Sequence, residues 1–127
     1  MLQPEIKALA TGKNFAALTV LPKSGHPMTH VMWIDADDEH LLINTELGRA
    51  KATAMDNDPR VTVAVWNAEN PYNYAEVRGR VVGTVVGQEA ADHIHACSQR
   101  YTGGPYGFGA TDARIIYKIA PDRQRMM

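Results

Sequence analysis

The segment Ile43-Asn44-Thr45-Glu46-Leu47-Gly48-Arg49-Ala50-Lys51, which continues through residue 60, predicts a strand, a tight turn and a helix in succession. Residues 41–43 form a short apolar run bounded by polar residues, and this pattern favours a strand. Gly48 permits a sharp turn, and residues 49–55 are mostly helix formers. Pro59 restricts Asp58 to extended backbone angles, so the helix is expected to end there.

Two cations, Arg49 and Lys51, stand at the opening of this predicted helix. Basic side chains are less favourable there than at the other end, because the helix dipole is positive at its start. An anion would resolve this conflict. The free backbone N–H groups, the hydroxyl of Thr45 and the two cations together form a phosphate-binding arrangement. The alternative interpretation is a solvated basic turn, and local spacing alone does not separate the two.

The residues Asn44-Thr45-Glu46-Leu47-Gly48-Arg49-Ala50-Lys51-Ala52, followed by Asp58-Pro59-Arg60-Val61, resemble the pyridoxamine-phosphate-oxidase-like split β-barrel family. More narrowly, they are similar to its flavin/deazaflavin oxidoreductase branch, and the similarity extends from Phe15 to Ile119. The resemblance implies that this turn holds the phosphate of a cofactor. The implied contacts are Asn44, Thr45, Gly48, Arg49, Ala50 and Lys51. It also implies a homodimer with cofactor sites at the subunit interface.

Composition limits the possible classes of protein. A chain of 127 residues is the size of one domain. The net charge of −1 gives no basic excess for nucleic acid binding. No apolar stretch is long enough to span a membrane, and the N-terminus lacks a signal-peptide pattern. The single cysteine, Cys97, fits a reducing compartment, so a cytoplasmic protein is expected.

The order of the predicted elements defines the fold class. Helices are predicted at 4–9, 49–55 and 88–101, and strands at 15–21, 27–35, 40–45, 60–66, 72–86 and 113–120. The long strand 72–86 is expected to bend at Gly79 or Gly83. Short turns join most of these strands, which indicates an antiparallel sheet whose closure removes its edges. We therefore predict one α+β, mainly β domain over residues 1–127, a split barrel of about six mostly antiparallel strands with two or three short helices.

The same resemblance assigns residues to the cofactor's ring. The strand beginning at residue 27 is implied to run along the ring system, with Val31, Met32 and Trp33 near it. Residues matching Trp66 and Tyr74 are implied to lie toward the subunit interface. Each of these two is expected either to contact ligand or to pack in the core. Tyr74 is also a candidate proton donor, and no other catalytic residue is predicted.

Other kinds of site have weaker support in the sequence. His93 and Cys97 are four residues apart on a predicted helix, but a zinc site normally needs three or four protein ligands. No metal site is therefore predicted, and the histidines are interpreted as surface or interface groups. No serine lies in a nucleophile elbow, which argues against covalent catalysis. The glycine-rich loop 102–109, with Tyr106 and Phe108, is either a mobile connection or a lid over a flat substrate.

Hydride transfer fits this set of residues, because the cofactor's ring does the chemistry and the protein fixes its orientation. The spacing Arg49-x-Lys51 departs from the adjacent Arg-Lys of the FMN-binding oxidases and is similar to the deazaflavin branch. Residues 113–127 lack the Arg-x-His motif of those oxidases. The resemblance therefore implies coenzyme F420, with FMN as the alternative, and a small conjugated acceptor. A non-catalytic flavin-binding protein and a structural barrel without cofactor are the other interpretations.

Overall fold

The computed structural model describes residues 1–109 and 111–127, which form three α-helices and one seven-stranded sheet. The helices are α1 Pro4–Thr11, α2 Ala50–Asn57 and α3 Gln88–Thr102. The strands are β1 Phe15–Val20, β2 Met28–Met32, β3 Asp35–Ala36, β4 Leu41–Glu46, β5 Arg60–Asn67, β6 Asn70–Val86 and β7 Arg114–Met126. This confirms the predicted mainly-β class.

The sheet is antiparallel at every strand pair, in the order β2-β1-β5-β6-β7-β4-β3. It curls into the split barrel, and its inner face forms the core. Helix α1 packs against β3 and β5, and α2 touches β1. Helix α3 packs instead against β4, β6 and β7.

Alternation along the strands decides which side chains reach the site. In β5, Val61, Val63 and Val65 are buried in the core, as a half-buried strand requires. Strand β4 likewise sends Leu41, Ile43 and Thr45 inward, so that Leu42, Asn44 and Glu46 point outward. Strand β7 is buried on both faces from Arg114 to Tyr117, because α3 covers its outer face. The space between α3 and the outer faces of β4 and β7 is therefore the natural place for a site.

The predicted strand 27–35 is interrupted in the structure. Strand β2 ends at Met32 and a separate short strand, β3, begins at Asp35. The backbone between them is bound by side chains of α3. The N–H of Ile34 donates to the Tyr101 hydroxyl at 3.2 Å, and Arg100 donates to the Ile34 carbonyl at 2.7 Å. Because helix side chains satisfy this backbone, it leaves the sheet ladder, and the sheet has seven strands where about six were predicted.

The long strand is irregular at both glycines where a bend at one or the other was predicted. The pairing of β6 with β7 shifts register between Arg78 and Gly79 and again between Val81 and Gly83. A β-carbon on Gly79 would lie 2.3 Å from the carbonyl oxygen of Ala120, so only glycine fits this close approach.

Strand β7 continues to Met126, beyond the predicted end at Ala120. Its last residues pair with β6 up to the register Ala75 with Met126. The polar sequence 122–125 gives little apolar alternation, so pairing with a neighbouring strand, rather than local pattern, creates this extension.

No helix within residues 1–109 and 111–127 is both long and apolar enough to span a membrane.

Candidate functional site

A cavity of about 270 Å³ lies between α3 and the outer faces of β4 and β7. We call it the α3 cavity. Its walls are Met32, Trp33, Ile34, Asp35, Leu42, Asn44, His93, Ile94, Cys97, Tyr106, Phe108 and Arg114. Most of these side chains are apolar or aromatic, and a few polar groups converge among them. Such a concave, mainly apolar site with few placed polar groups is typical of small-molecule binding.

A chain of hydrogen bonds forms one wall of the α3 cavity. The Nε2 atom of His93 lies 2.8 Å from Oδ2 of Asp35. The amide nitrogen of Asn44 lies 3.0 Å from Nδ1 of His93, and it also donates to the Ala90 carbonyl at 2.9 Å. Arg114 donates to the amide oxygen of Asn44 at 2.9 Å, which fixes the orientation of this amide. In neutral His93, Nδ1 therefore accepts from Asn44, and the ring proton resides on Nε2, facing Asp35.

Arg100 anchors the other side of Asp35. Its guanidinium lies 2.6 Å from Oδ1 of Asp35, and it donates to the Ala10 and Gly12 carbonyls at 3.2 and 3.3 Å. This arginine therefore joins α3, α1 and the β2–β3 connection through one side chain. The carboxylate of Asp35 is held between a fixed cation and the imidazole of His93.

These contacts shift the acidity of both partners. Burial raises the pKa of Asp35, but the hydrogen bond from His93 and the charge of Arg100 outweigh burial, so the pKa is lowered. Burial lowers the pKa of His93, but the contacts with Asp35 and Cys97 outweigh burial and raise the pKa to about 9. The amide of Asn44 works against protonation, since a protonated Nδ1 cannot accept its hydrogen. His93 is thus a half-buried network residue, so the surface part of its interpretation as a surface or interface group is wrong, and the interface part stays a prediction.

Asp35, His93 and Cys97 bring three potential metal-ligand atoms within 4.8 Å of one another. The sulfur of Cys97 lies 3.6 Å from Nε2 and 4.0 Å from Nδ1 of His93. These nearly equal distances place the sulfur beside the face of the ring, away from the in-plane lone pair that a metal would use. The tautomer fixed by Asn44 also directs a proton, not a lone pair, toward Asp35. Hydrogen bonding accounts for the proximity of Asp35 and His93, and the interpretation that no metal binds here stays a prediction.

Arg114, which ends this chain of hydrogen bonds, is 6% exposed. Its guanidinium lies 3.4 Å from Oε1 of Glu46, and the other carboxylate oxygen of Glu46 lies 3.3 Å from Nε of Arg49. One carboxylate therefore connects the α3 cavity to the start of α2. Burial, followed by the charges of Arg49 and Arg114, lowers the pKa of Lys51, while Glu46 opposes the effect.

The segment 46–51, which we call the α2 turn, has the predicted strand–turn–helix form. Gly48 has a φ of +85°, which favours glycine. Arg49 is the N-cap of α2, and no side chain among residues 1–109 and 111–127 caps the helix. Ala50 is the first residue of the helix, and Lys51 follows it. The first N–H groups of α2 thus lack a side-chain acceptor, and two cations stand beside them.

Of the other residues predicted to contact the ligand, some line the α3 cavity and others lie away from it. Met32, Trp33 and Asn44 line the α3 cavity. Val31 is 67% exposed on β2. Trp66 and Tyr74 face each other across β5 and β6, away from the α3 cavity. Thr45 is 3% exposed on the core side of β4, opposite to its neighbour Asn44.

The glycine-rich loop folds over the α3 cavity. The N–H of Tyr106 donates to Nδ1 of His95 at 3.0 Å, which ties the loop to α3. The rings of Tyr106 and Phe108 lie 6.0 and 6.1 Å from that of Trp33, edge to face. Phe108 is 73% exposed, so its ring stands at the mouth of the cavity. Of the two interpretations of this loop, this packing favours the lid.

Sequence reasoning missed Asp35, Arg100 and Arg114 as residues of the site. Asp35 and Arg100 lie 65 residues apart, and Arg114 and Asn44 lie 70 apart. One signal was present for Arg114: an arginine that alternates with the core residues Ile115 and Tyr117 must lie on a strand face that α3 covers. Recognising it requires knowing that α3 packs there.

Comparison with known proteins places the whole chain in one family. The family model described as pyridoxamine 5'-phosphate oxidase matches residues 2–125. No curated protein sequence matches the chain significantly. The chain is similar over 98% of its length to 98% of a solved F420 reductase, with 25% identity and a TM-score of 0.83.

Two further solved structures share the fold. A conserved hypothetical protein from Mycobacterium tuberculosis matches with 23% identity and a TM-score of 0.74, covering 99% of this chain and 84% of that one. A putative pyridoxamine 5'-phosphate oxidase from Listeria innocua matches with 17% identity and a TM-score of 0.71, covering 98% of each chain. The family match over nearly all of its residues shows that the chain belongs to the pyridoxamine 5'-phosphate oxidase family.

Proposed function

We propose that the protein is an F420-dependent reductase that transfers a hydride between the deazaflavin cofactor and a small conjugated or unsaturated acceptor. Its coarse class, a flavin-type oxidoreductase, follows from family membership. The finer assignment has two supports. One is the F420 reductase that matches 98% of the chain. The other, which carries the proposal, is that a single cavity is lined by Met32, Trp33 and Asn44, residues from both segments predicted to hold the cofactor.

The α2 turn is the proposed phosphate site. It offers the uncapped start of α2, with the cations Arg49 and Lys51 beside it. The lowered pKa of Lys51 reflects burial and repulsion from Arg49 and Arg114. A bound phosphate would add negative charge where these cations repel one another, so binding would relieve the repulsion. Gly48 gives the turn its tight geometry, and Ala50 leaves its backbone N–H unobstructed.

The proposed ring site follows the outer edge of β2, beside the mouth of the α3 cavity. Strand β2 is an edge of the sheet, because it pairs with β1 alone. Its outer edge therefore leaves backbone N–H and C=O groups for the rim of a planar ring. Trp33 stacks on Tyr101 with ring centroids 4.9 Å apart, so the position of its indole is fixed. When bound, the deazaflavin ring would supply the hydride.

A homodimer with cofactor sites at the subunit interface is part of the proposal. Tyr74 and Trp66 lie away from the α3 cavity of their own subunit, so a ligand role for either requires the site of a second copy. Large apolar side chains such as Val31 and Val86 are 67% and 58% exposed. A second copy would cover such surface. Tyr74 stays the proposed proton donor on this arrangement.

Two alternatives are an FMN-binding oxidoreductase and a flavin-binding protein without turnover. The discriminating experiment is a parallel fluorescence titration with coenzyme F420 and with FMN. The variant Trp66→Phe leaves Trp33 as the only tryptophan and makes the signal specific to the α3 cavity. Micromolar binding of F420 with weaker binding of FMN is expected.

The reverse preference would support the FMN alternative. Binding of either cofactor without reduction of any conjugated acceptor would support the non-catalytic alternative. Failure of both cofactors to bind would reject the proposed function and leave the fold unaffected.

A further inference from the structure

Arg114 is a buried cation whose hydrogen bonds within the chain are incomplete. Its Nε donates to the amide oxygen of Asn44 at 2.9 Å, a normal distance. Its two terminal nitrogens lie 3.4 Å from Glu46 Oε1 and 3.4 Å from the Asn44 carbonyl, both long contacts. A guanidinium has five N–H donors. Each terminal nitrogen therefore retains a second N–H beyond these long contacts, and Arg114 lines the α3 cavity.

The charges around Arg114 do not balance. Arg49 and Arg114 share the single carboxylate of Glu46, and Lys51 lies close enough for both arginines to lower its pKa. Three cations with one carboxylate leave an excess of two positive charges. Farther along the cavity, Asp35 is already paired with Arg100 and His93, so it does not offset this excess.

The rest of the α3 cavity suits a flat ring. Trp33, Tyr106 and Phe108 contribute aromatic surface, and Met32, Ile34 and Leu42 contribute aliphatic surface. The Tyr106 ring lies 5.0 Å from the guanidinium carbon of Arg114, which orients the arginine against an aromatic face. A volume of about 270 Å³ accommodates a fused bicyclic ring with a small substituent.

We propose that the acceptor of this enzyme is a planar conjugated acid, and that Arg114 is the residue that binds its carboxylate at the inner wall of the α3 cavity. The assignment rests on the proposed function, which requires a conjugated acceptor but does not specify its charge. It gives Arg114 a role in substrate specificity that is separate from the phosphate role of the α2 turn. A charge-assisted contact with a carboxylate in a largely water-excluded wall discriminates strongly against neutral analogues.

The test uses two probes of the same shape, 2-naphthoate and the neutral 2-naphthamide, titrated by isothermal calorimetry. We expect the acid to bind about tenfold to a hundredfold more tightly than the amide, the range of one charge-assisted hydrogen bond. Arg114→Gln is expected to abolish the preference, and Arg114→Lys to retain part of it. Arg80→Gln, at an arginine on an exposed face of β6, is the matched control and should leave the preference unchanged.

Because Arg114 also holds Asn44, Arg114→Gln is first compared with the wild-type protein by circular dichroism. If Arg114→Gln does not fold, the acid preference is measured on Arg114→Lys instead. This variant keeps the positive charge and replaces only the planar set of guanidinium donors. Equal binding of acid and amide by the wild type, no binding of either probe, a preference that survives in folded Arg114→Gln, or an undiminished preference in Arg114→Lys would overturn the assignment.

A second series of titrations adds saturating coenzyme F420. Retained binding of the acid is expected and supports an acceptor site beside the cofactor. Loss of acid binding would mean that the cofactor itself occupies this position, which overturns the assignment to the acceptor. Failure of F420 to bind, with the acid preference intact, would reject the proposed reductase and leave Arg114 as an anion-binding residue.

Discussion

The wall of the α3 cavity and the α2 turn are adjacent, yet their side chains are organised in opposite ways. In the wall, Asp35, His93 and Asn44 use their polar atoms on one another and on neighbouring arginines. In the α2 turn, Arg49 and Lys51 have the carboxylate of Glu46 as their nearest counter-charge, and the helix start is uncapped. In the wall, polar atoms are mostly used on one another, whereas in the turn they are available for a ligand.

The largest expected effect on the wall network comes from the substitution Asp35→Asn. The change removes the charge between Arg100 and His93 and leaves a half-buried guanidinium without its carboxylate. We expect the free energy of unfolding to fall by about 2–4 kcal/mol, as for broken pairs in this kind of environment. Urea denaturation followed by circular dichroism measures it.

The matched control is Asp38→Asn, which removes a carboxylate paired with Lys7 on the surface, where the aspartate side chain is 78% exposed. Its effect is expected to stay below about 1 kcal/mol. Similar small losses for both variants would show that the wall network is dispensable for folding.

For the α2 turn, Lys51→Ala should show the opposite behaviour. Binding of coenzyme F420 is expected to weaken by about 1.5–3 kcal/mol, the scale of a charge-assisted hydrogen bond. The free energy of unfolding should change by less than about 0.5 kcal/mol. Lys23→Ala, in the exposed turn between β1 and β2, is the control and should leave the affinity unchanged. If the affinity of Lys51→Ala matches that of the wild type, the phosphate lies elsewhere.

The pH dependence of stability tests the protonation state of His93 in the wall of the α3 cavity. His93 has a raised pKa, about 9, so the folded state binds this proton more tightly than the unfolded state does. The contribution of protonated His93 to the free energy of unfolding is complete below its unfolded-state pKa of about 6.5. It is lost as the pH rises through the folded-state pKa of about 9. We expect a loss of about 1–2 kcal/mol across this window, because Asn44 opposes protonation.

Denaturation of the wild type and His93→Gln at several pH values measures the effect. The variant should have a flatter profile over that window. Parallel profiles for the two proteins would show that Asn44 keeps His93 neutral in the folded state.

The smallest expected effect concerns the lid. Phe108→Ala removes an exposed ring at the mouth of the α3 cavity, so stability should change by less than about 0.5 kcal/mol. Affinity for a planar ligand should fall by about 0.5–1 kcal/mol through the lost aromatic contact. Phe108→Leu, which keeps apolar area without the ring, should lie between. Unchanged affinity in both variants would mean that the loop does not cover the ligand.

Strongly patterned segments were predictable without any tertiary information. The alternation of Val61, Val63 and Val65 fixed β5 and its core face, and Gly79 and Gly83, the predicted positions of a bend, mark the two register shifts between β6 and β7. The α2 turn was also predictable from the sequence, because Gly48 and Pro59 restrict or permit backbone angles locally. The family resemblance on these residues agrees with the family match.

The composition of the α3 cavity was decided by tertiary structure alone. Asp35, Asn44, His93 and Arg114 belong to four elements, and they meet only because α3 crosses the outer faces of β4 and β7. The same packing takes the backbone of Ile34 out of the sheet and separates β3 from β2. Local sequence sets backbone angles and which face of a strand is apolar. It does not specify which distant polar group completes a hydrogen bond, because that depends on how the elements pack.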